Sequence, residues 1–172
     1  MHADDILKYG HLLVLDTAQL IPESEWNTAD VCGWWSTRQI IAHLASYEGL
    51  LVDILSQLLG AGDPTPALDK MFELGPLGFN DYEVPARDDK TLPELLDEYT
   101  GAYEKTSAMI AKIPVETRRQ LGALPWYGEE YDLEDFLVYT YYAHKREHCA
   151  QIGAFKDLLA REGKSLDADE HR

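Results

Sequence analysis

The residues in this chain best suited to chemistry are three histidines: His43, within Ile41-Ala42-His43-Leu44-Ala45, and the pair His144 and His148 far downstream. The later pair stands four residues apart inside a long helical pattern. Four steps at 3.6 residues per turn return the second ring to within about 40° of the first, one turn further along. A helix offers two nitrogen ligands to one metal ion in this way, with a third arriving from elsewhere. Three imidazoles with an open fourth position, left to water or substrate, are the pattern of catalytic zinc sites.

Four helical patterns must position these rings. The first spans about 4–21, with Leu7, His11, Val14, Ala18 and Ile21 on one stripe before Pro22. The second opens with Ser36-Thr37-Arg38-Gln39, which predicts a capping box. It carries Ile40, His43, Leu44, Tyr47, Leu51, Ile54, Leu55 and Leu58 to Gly60. The third opens with a similar box, Thr91-Leu92-Pro93-Glu94, and runs to Ile113 before Pro114. The fourth takes Asp132 as N-cap and runs from Leu133 to Arg161, before Gly163. Its inward stripe reads Leu137, Tyr141, His144, His148, Gln151 or Ile152, Phe155 and Leu159, which puts both histidines on the core face. His43 shares a stripe with Ile40, Tyr47 and Ile54.

Residues 60–91 form a long connector rich in Pro and Gly, expected to be functional or partly structured. Connectors 22–35 and 114–132 carry the tryptophans Trp26, Trp34, Trp35 and Trp126. The chain also rhymes with itself: Ile21-Pro22 and Ile113-Pro114 are each followed by tryptophan and then by a capped helix containing Ala-His. That hints at two helix pairs about a pseudo-twofold axis, bringing His43 and His144 to one layer. The expected fold is all-α, a four-helix bundle in one domain over 1–163, with 164–172 a frayed polar tail.

Composition narrows the function further. A chain of 172 residues can bury an adequate core without metal or disulfide, so a metal site would serve chemistry. With 31 acidic against 15 basic residues the net charge is −16, a surface that repels nucleic acid and anionic membranes. Asp16, Asp53 and similar charges interrupt every candidate membrane span, and the acidic start has no signal-peptide pattern. Cys32 and Cys149 suggest no disulfide framework. A cytoplasmic setting is expected.

Other chemistries fail on spacing. Lys145 follows His144, so the glutamate of HExxH is missing. Tyr141 and Lys145 stand where Glu-x-x-His di-iron sites need glutamate. No dinucleotide fingerprint, P-loop or nucleophile elbow is present.

The segments Trp35-Ser36-Thr37-Arg38-Gln39-Ile40-Ile41-Ala42-His43-Leu44-Ala45-Ser46-Tyr47-Glu48 and His144-Lys145-Arg146-Glu147-His148-Cys149-Ala150-Gln151-Ile152 resemble the DinB/YfiT-like superfamily of metalloenzymes. The resemblance covers nearly the full length. It implies an up-down-down-up bundle, a single divalent ion (zinc or nickel) on His43, His144 and His148, and a homodimer. It also implies thiol transfer or isomerisation using a low-molecular-weight thiol such as bacillithiol or mycothiol, or hydrolysis.

Around that set, Glu48, Tyr47 and Tyr141 are candidate acid–base or orienting groups, Glu48 alternatively a solvated or inter-helix ion-pair residue and the tyrosines alternatively core packing. His11 and Glu147 are further candidates to support the site, His11 alternatively as packing and Glu147 as an ion-pair partner. Cys149 reads as a small buried hydrophobe, and Trp34, Trp35, Trp126 and Tyr127 as connector packing. His2 and His171 read as incidental. The expected partner is a small electrophilic substrate. A non-catalytic, dimeric small-ligand binding or sequestration protein is the alternative, and a purely structural domain the third.

Overall fold

The computed structural model describes residues 2–163; the expected tail, with His171, lies outside them. The described residues form helices and connecting turns, without a strand: α1 (Ala3–Ala18), α2 (Thr37–Leu59), α3 (Pro66–Glu83), α4 (Leu92–Ile110), α5 (Val115–Arg118), α6 (Leu133–Phe136) and α7 (Ala143–Arg161). A π-helical segment, Leu137–Tyr142, joins α6 to α7. No described helix is long and apolar enough to cross a membrane.

Local chemistry sets the helix starts. Ser36 and Gln39 satisfy each other's backbone N–H groups at the head of α2, Thr91 and Glu94 do so for α4, and Asp132 and Asp135 for α6. Gly60 ends α2 in the left-handed conformation, φ 65°.

The connector over 60–91 is largely helix rather than loop. Asp53 explains its placement: this buried carboxylate of α2 accepts the backbone N–H groups of Ala67 (2.7 Å) and Leu68 (3.2 Å), the first turn of α3. An anion at a helix N-terminus is favoured by the orphan donors and the dipole there. Midway, Gly75 takes φ 68°, ψ 172°, and Pro76 restarts the helical path beyond the kink. The second part carries Phe79 and Asn80 back towards α2. Arg87 then bonds Glu83 and Glu98, tying the end of the connector to α4.

Helix α2 packs mainly on α4 and also on α3, while α1 packs on α7 and α4. Two apolar clusters result. One holds Ile6, Leu7, Leu51, Leu55, Ile110 and Phe136; the other holds Val14, Ile41, Leu44, Leu95, Ile152 and Phe155. The seam between them receives polar side chains from α1, α2 and α7: His11, His43, Glu48, His144, Lys145 and His148. Burying so many polar groups is costly unless each is matched, so the seam is where function is to be sought.

Candidate metal centre

His43 sits about two turns into α2, buried like its neighbours Ile40, Ile41 and Leu44. Trp35 precedes the Ser36 cap, held by a short backbone turn in which Val31 donates to the Trp35 carbonyl and Trp35 donates to that of Cys32. Its ring lies 4.8 Å from the His43 ring, centroid to centroid. From the other side α7 delivers His144 and His148.

The three rings meet through the same atom. Nε2 of His43 lies 2.9 Å from Nε2 of His144, and Nε2 of His148 lies 3.0 Å from the same nitrogen. His43 and His148 are buried and His144 half-buried, so the group opens on the His144 side. A neutral imidazole nitrogen holds either one proton or one lone pair. His144 Nε2 faces two nitrogens at once, and no assignment of protons gives all three atoms a good partner. A single cation among them would satisfy all three lone pairs, so the donor set fits a divalent metal.

The outer nitrogens support that reading. Nδ1 of His148 is 2.8 Å from Oε1 of Gln151. Nδ1 of His43 and Oδ1 of Asn80 are both buried without a hydrogen-bond partner, and the nearby Asn80 side chain favours the charged form of His43. Acceptors behind ligating imidazoles fix the tautomer that leaves Nε2 free. Burial, reinforced by the neighbouring His144 and His148, pushes the His43 pKa down to about 2. Burial first, then His148 and Lys145, takes His144 down to about 4. His148 is lowered as well, by burial, against the opposing pull of Gln151 and Glu147. All three rings are therefore neutral at pH 7, the form that binds metals.

Tyr47 stands beside this group, its ring 4.7 Å from His43 and 4.9 Å from His144. Burial raises its pKa, so it presents a protonated phenol. Tyr141 is buried, and burial with the Glu48 charge holds its hydroxyl protonated too.

Glu48 takes another course. It is fully buried in an ion pair with Lys145, itself 3% exposed, and is absent from the convergent donors. His11 also stands apart, stacked on Tyr103 at 3.9 Å and Tyr99 at 5.3 Å. Glu147 is exposed and reaches His148 only through its charge. Cys149 is buried, its thiol pushed up by burial, with Sγ against the Leu13 carbonyl.

Asn80, Gln151 and Trp35 are the residues with a role at the group that spacing alone left unassigned. Gln151 lies three residues after His148, a visible cue. Asn80 had none, because its helix was read as connector.

A scan of family profiles matches the DinB superfamily over residues 12–152, most of the chain. The chain belongs to the DinB superfamily. Comparison with curated proteins and with solved structures returns no match. The three histidines and both motif segments lie inside the matched range.

Proposed function

We propose that this DinB-superfamily protein is a divalent-metal enzyme in which His43, His144 and His148 hold zinc or nickel. One observation carries the reading: three neutral imidazoles present the same nitrogen to a common point, with the Gln151 amide oxygen behind one of them. An ion held there would lower the pKa of a water or thiol in its open position and keep it nucleophilic near pH 7.

The chain's own residues do the rest. Gln151 and Asn80 orient the imidazoles. Trp35 and Tyr47 cover the rings and exclude water, which strengthens electrostatic interactions within. Tyr47, a neutral phenol, is fitted to donate a hydrogen bond or proton to a departing group, and Tyr141 supplies a second protonated hydroxyl. Glu48 is committed to Lys145, so its part is to position α2 against α7 rather than to move protons.

The reaction is transfer of a low-molecular-weight thiol to a small electrophile: the thiol loses its proton, its sulfur bonds the electrophilic carbon, and the leaving group departs protonated. Water in the thiol's place makes the same site a hydrolase. The framework is a four-helix bundle of α1, α2, α4 and α7, running up-down-down-up. Support comes from the apolar clusters, since α1 and the α6–α7 segment enter one cluster first while α2 and α4 enter the other first. A cytoplasmic homodimer completes the proposal.

Incubating tag-free protein with a thiol panel and a small electrophile tests it. Conjugation that requires metal and is abolished in His144→Ala is expected. Metal-loaded protein that conjugates no thiol and hydrolyses no ester would leave the second reading: a non-catalytic small-ligand binder, favoured by an apolar chamber of about 370 Å³ bounded partly by Tyr47.

A further inference from the structure

The chamber beside Tyr47 has a composition of its own. Its walls include Tyr47, Ile54, Phe72, Trp126, Phe136 and Tyr141, and every residue lining it is aliphatic, aromatic, methionine, proline or threonine. At about 370 Å³ it falls at the small end of the range for small-molecule sites, roughly 300–1,000 Å³. Tyr47 is the shared wall: one ring lines the chamber and also packs on His43 and His144. Tyr141 lines the chamber as a second tyrosine, and burial keeps its hydroxyl protonated.

From these observations we infer that the chamber takes the non-reacting body of the substrate, and that this body is neutral and apolar, of about one or two fused rings. The inference rests on the metal-enzyme reading for the word substrate, but the binding it describes does not need the metal. Charge decides the class. In a chain carrying −16 overall, no Lys, Arg or His lines the chamber, so a carboxylate or phosphate would lose its hydration and gain no counter-charge. A neutral ring loses little and gains the hydrophobic and edge-to-face contacts that the aromatic walls offer. Trp126 already meets Phe72 at 5.7 Å and Phe136 at 5.6 Å in that edge-on manner. Phe72 and Pro76 flank the Gly75 kink of α3, so the interrupted part of that helix forms one wall of the chamber. The acceptor that such a guest can carry is a carbonyl or ether oxygen, facing the Tyr47 or Tyr141 hydroxyl.

An isosteric pair tests this directly: 2-acetylnaphthalene and 2-naphthoate share shape and differ in charge. Binding of each is measured by ligand-observed NMR with the full chain at pH 7. The neutral ketone should bind at least tenfold more tightly. Met71→Trp and Thr140→Phe, two half-buried lining positions, should each fill the space and weaken ketone binding tenfold or more. Using both guards against one variant failing to fold. Equal or tighter binding of the carboxylate, or ketone binding indifferent to both filled variants, overturns the inference. So does ketone binding that appears only when a dimer dissociates on dilution, which would assign the mouth to a second copy. Metal uptake and ketone binding measured on the same unsubstituted protein separate the two proposals. Ketone binding by protein that takes up neither zinc nor nickel retains the chamber and removes the enzyme, whereas metal loading without ketone binding does the reverse. His144→Ala should lose the metal and keep the ketone.

Discussion

Two buried polar groups lie in the same seam and have been resolved in opposite ways. In one, His43, His144 and His148 are neutral and crowd equivalent acceptor atoms together, an arrangement that only a further cation completes. In the other, Glu48 and Lys145 neutralise each other inside the protein, and His11 is stacked flat against Tyr103 and Tyr99. The second group still leaves Glu48 Oε2, His11 Nδ1 and Tyr99 Oη without partners, yet it offers no set of converging ligands. The contrast shows that burial of a histidine says little by itself. The direction of the lone pairs separates a ligand from a packing ring.

The closed group also serves the open one. Glu48 follows His43 by little more than a turn and Lys145 is adjacent to His144, so their ion pair sets the register in which the imidazoles face one another. Helix α1 makes room for it: a Cβ on Gly10 would sit 3.2 Å from Lys145 Cδ and 3.3 Å from the Tyr142 ring. Lys145→Met should therefore have the largest effect on stability, about 3–5 kcal/mol, by stranding a buried carboxylate. Adding Glu48→Leu should recover most of it. Urea unfolding of the single and double variants measures both, and a cost below about 1 kcal/mol for Lys145→Met would mean that the pair does not hold the helices.

Acid should next distinguish the groups by their protons. The folded pKa values of His11 and His144 fall to about 4 and that of His43 to about 2, against 6.5 in the unfolded chain. A depressed pKa means that the unfolded chain takes up the proton first, so stability is intact above pH 6.5 and declines as pH falls below it. Between pH 8 and 5.5 each of these three rings should cost about 1.4 kcal/mol in the metal-free protein. His11→Phe and His144→Ala should each remove one such share from the pH profile followed by unfolding.

Smaller changes sharpen the comparison. Asn80→Ala and Gln151→Ala should weaken metal binding by about 10–100-fold while leaving the fold in place. His11→Phe, by contrast, should leave metal affinity unchanged and alter stability by less than about 1.5 kcal/mol, since it replaces one stacked ring by another. Titration of a chromophoric chelator competitor reads all three variants, and a metal defect in His11→Phe would merge the two groups into one site.

Much of this was legible in the residues. The capping boxes, the HxxxH spacing and the stripe through His43 located the helices and brought the right three rings together. The interior of the connector was harder. Gly75 and Pro76 look like loop residues and do mark a kink, while the helix they interrupt is anchored at its start by Asp53, a long-range cap from α2 that no local pattern reveals. Helix four was read with one uninterrupted phase. The wide turn at Leu137–Tyr142 shifts that phase, so Lys145 joins the buried face while His144 sits at its edge; Cys149 and Ile152 are buried as read. Such π turns gather near functional sites, here directly before the first histidine of the pair. The Glu48–Lys145 pair did leave a cue: Leu44, Glu48, Leu51 and Leu55 form one inward stripe, and a charge on such a stripe needs a buried partner.

Metal content of protein purified without a histidine tag tests the central claim most directly. The account predicts about one equivalent of zinc or nickel per chain, lost in His144→Ala. It also predicts that metal-stripped protein regains about 2.7 kcal/mol of stability when either free ion reaches a hundred times its dissociation constant. Metal-free protein that neither ion stabilises would contradict it, and the three converging imidazoles would then be no more than core.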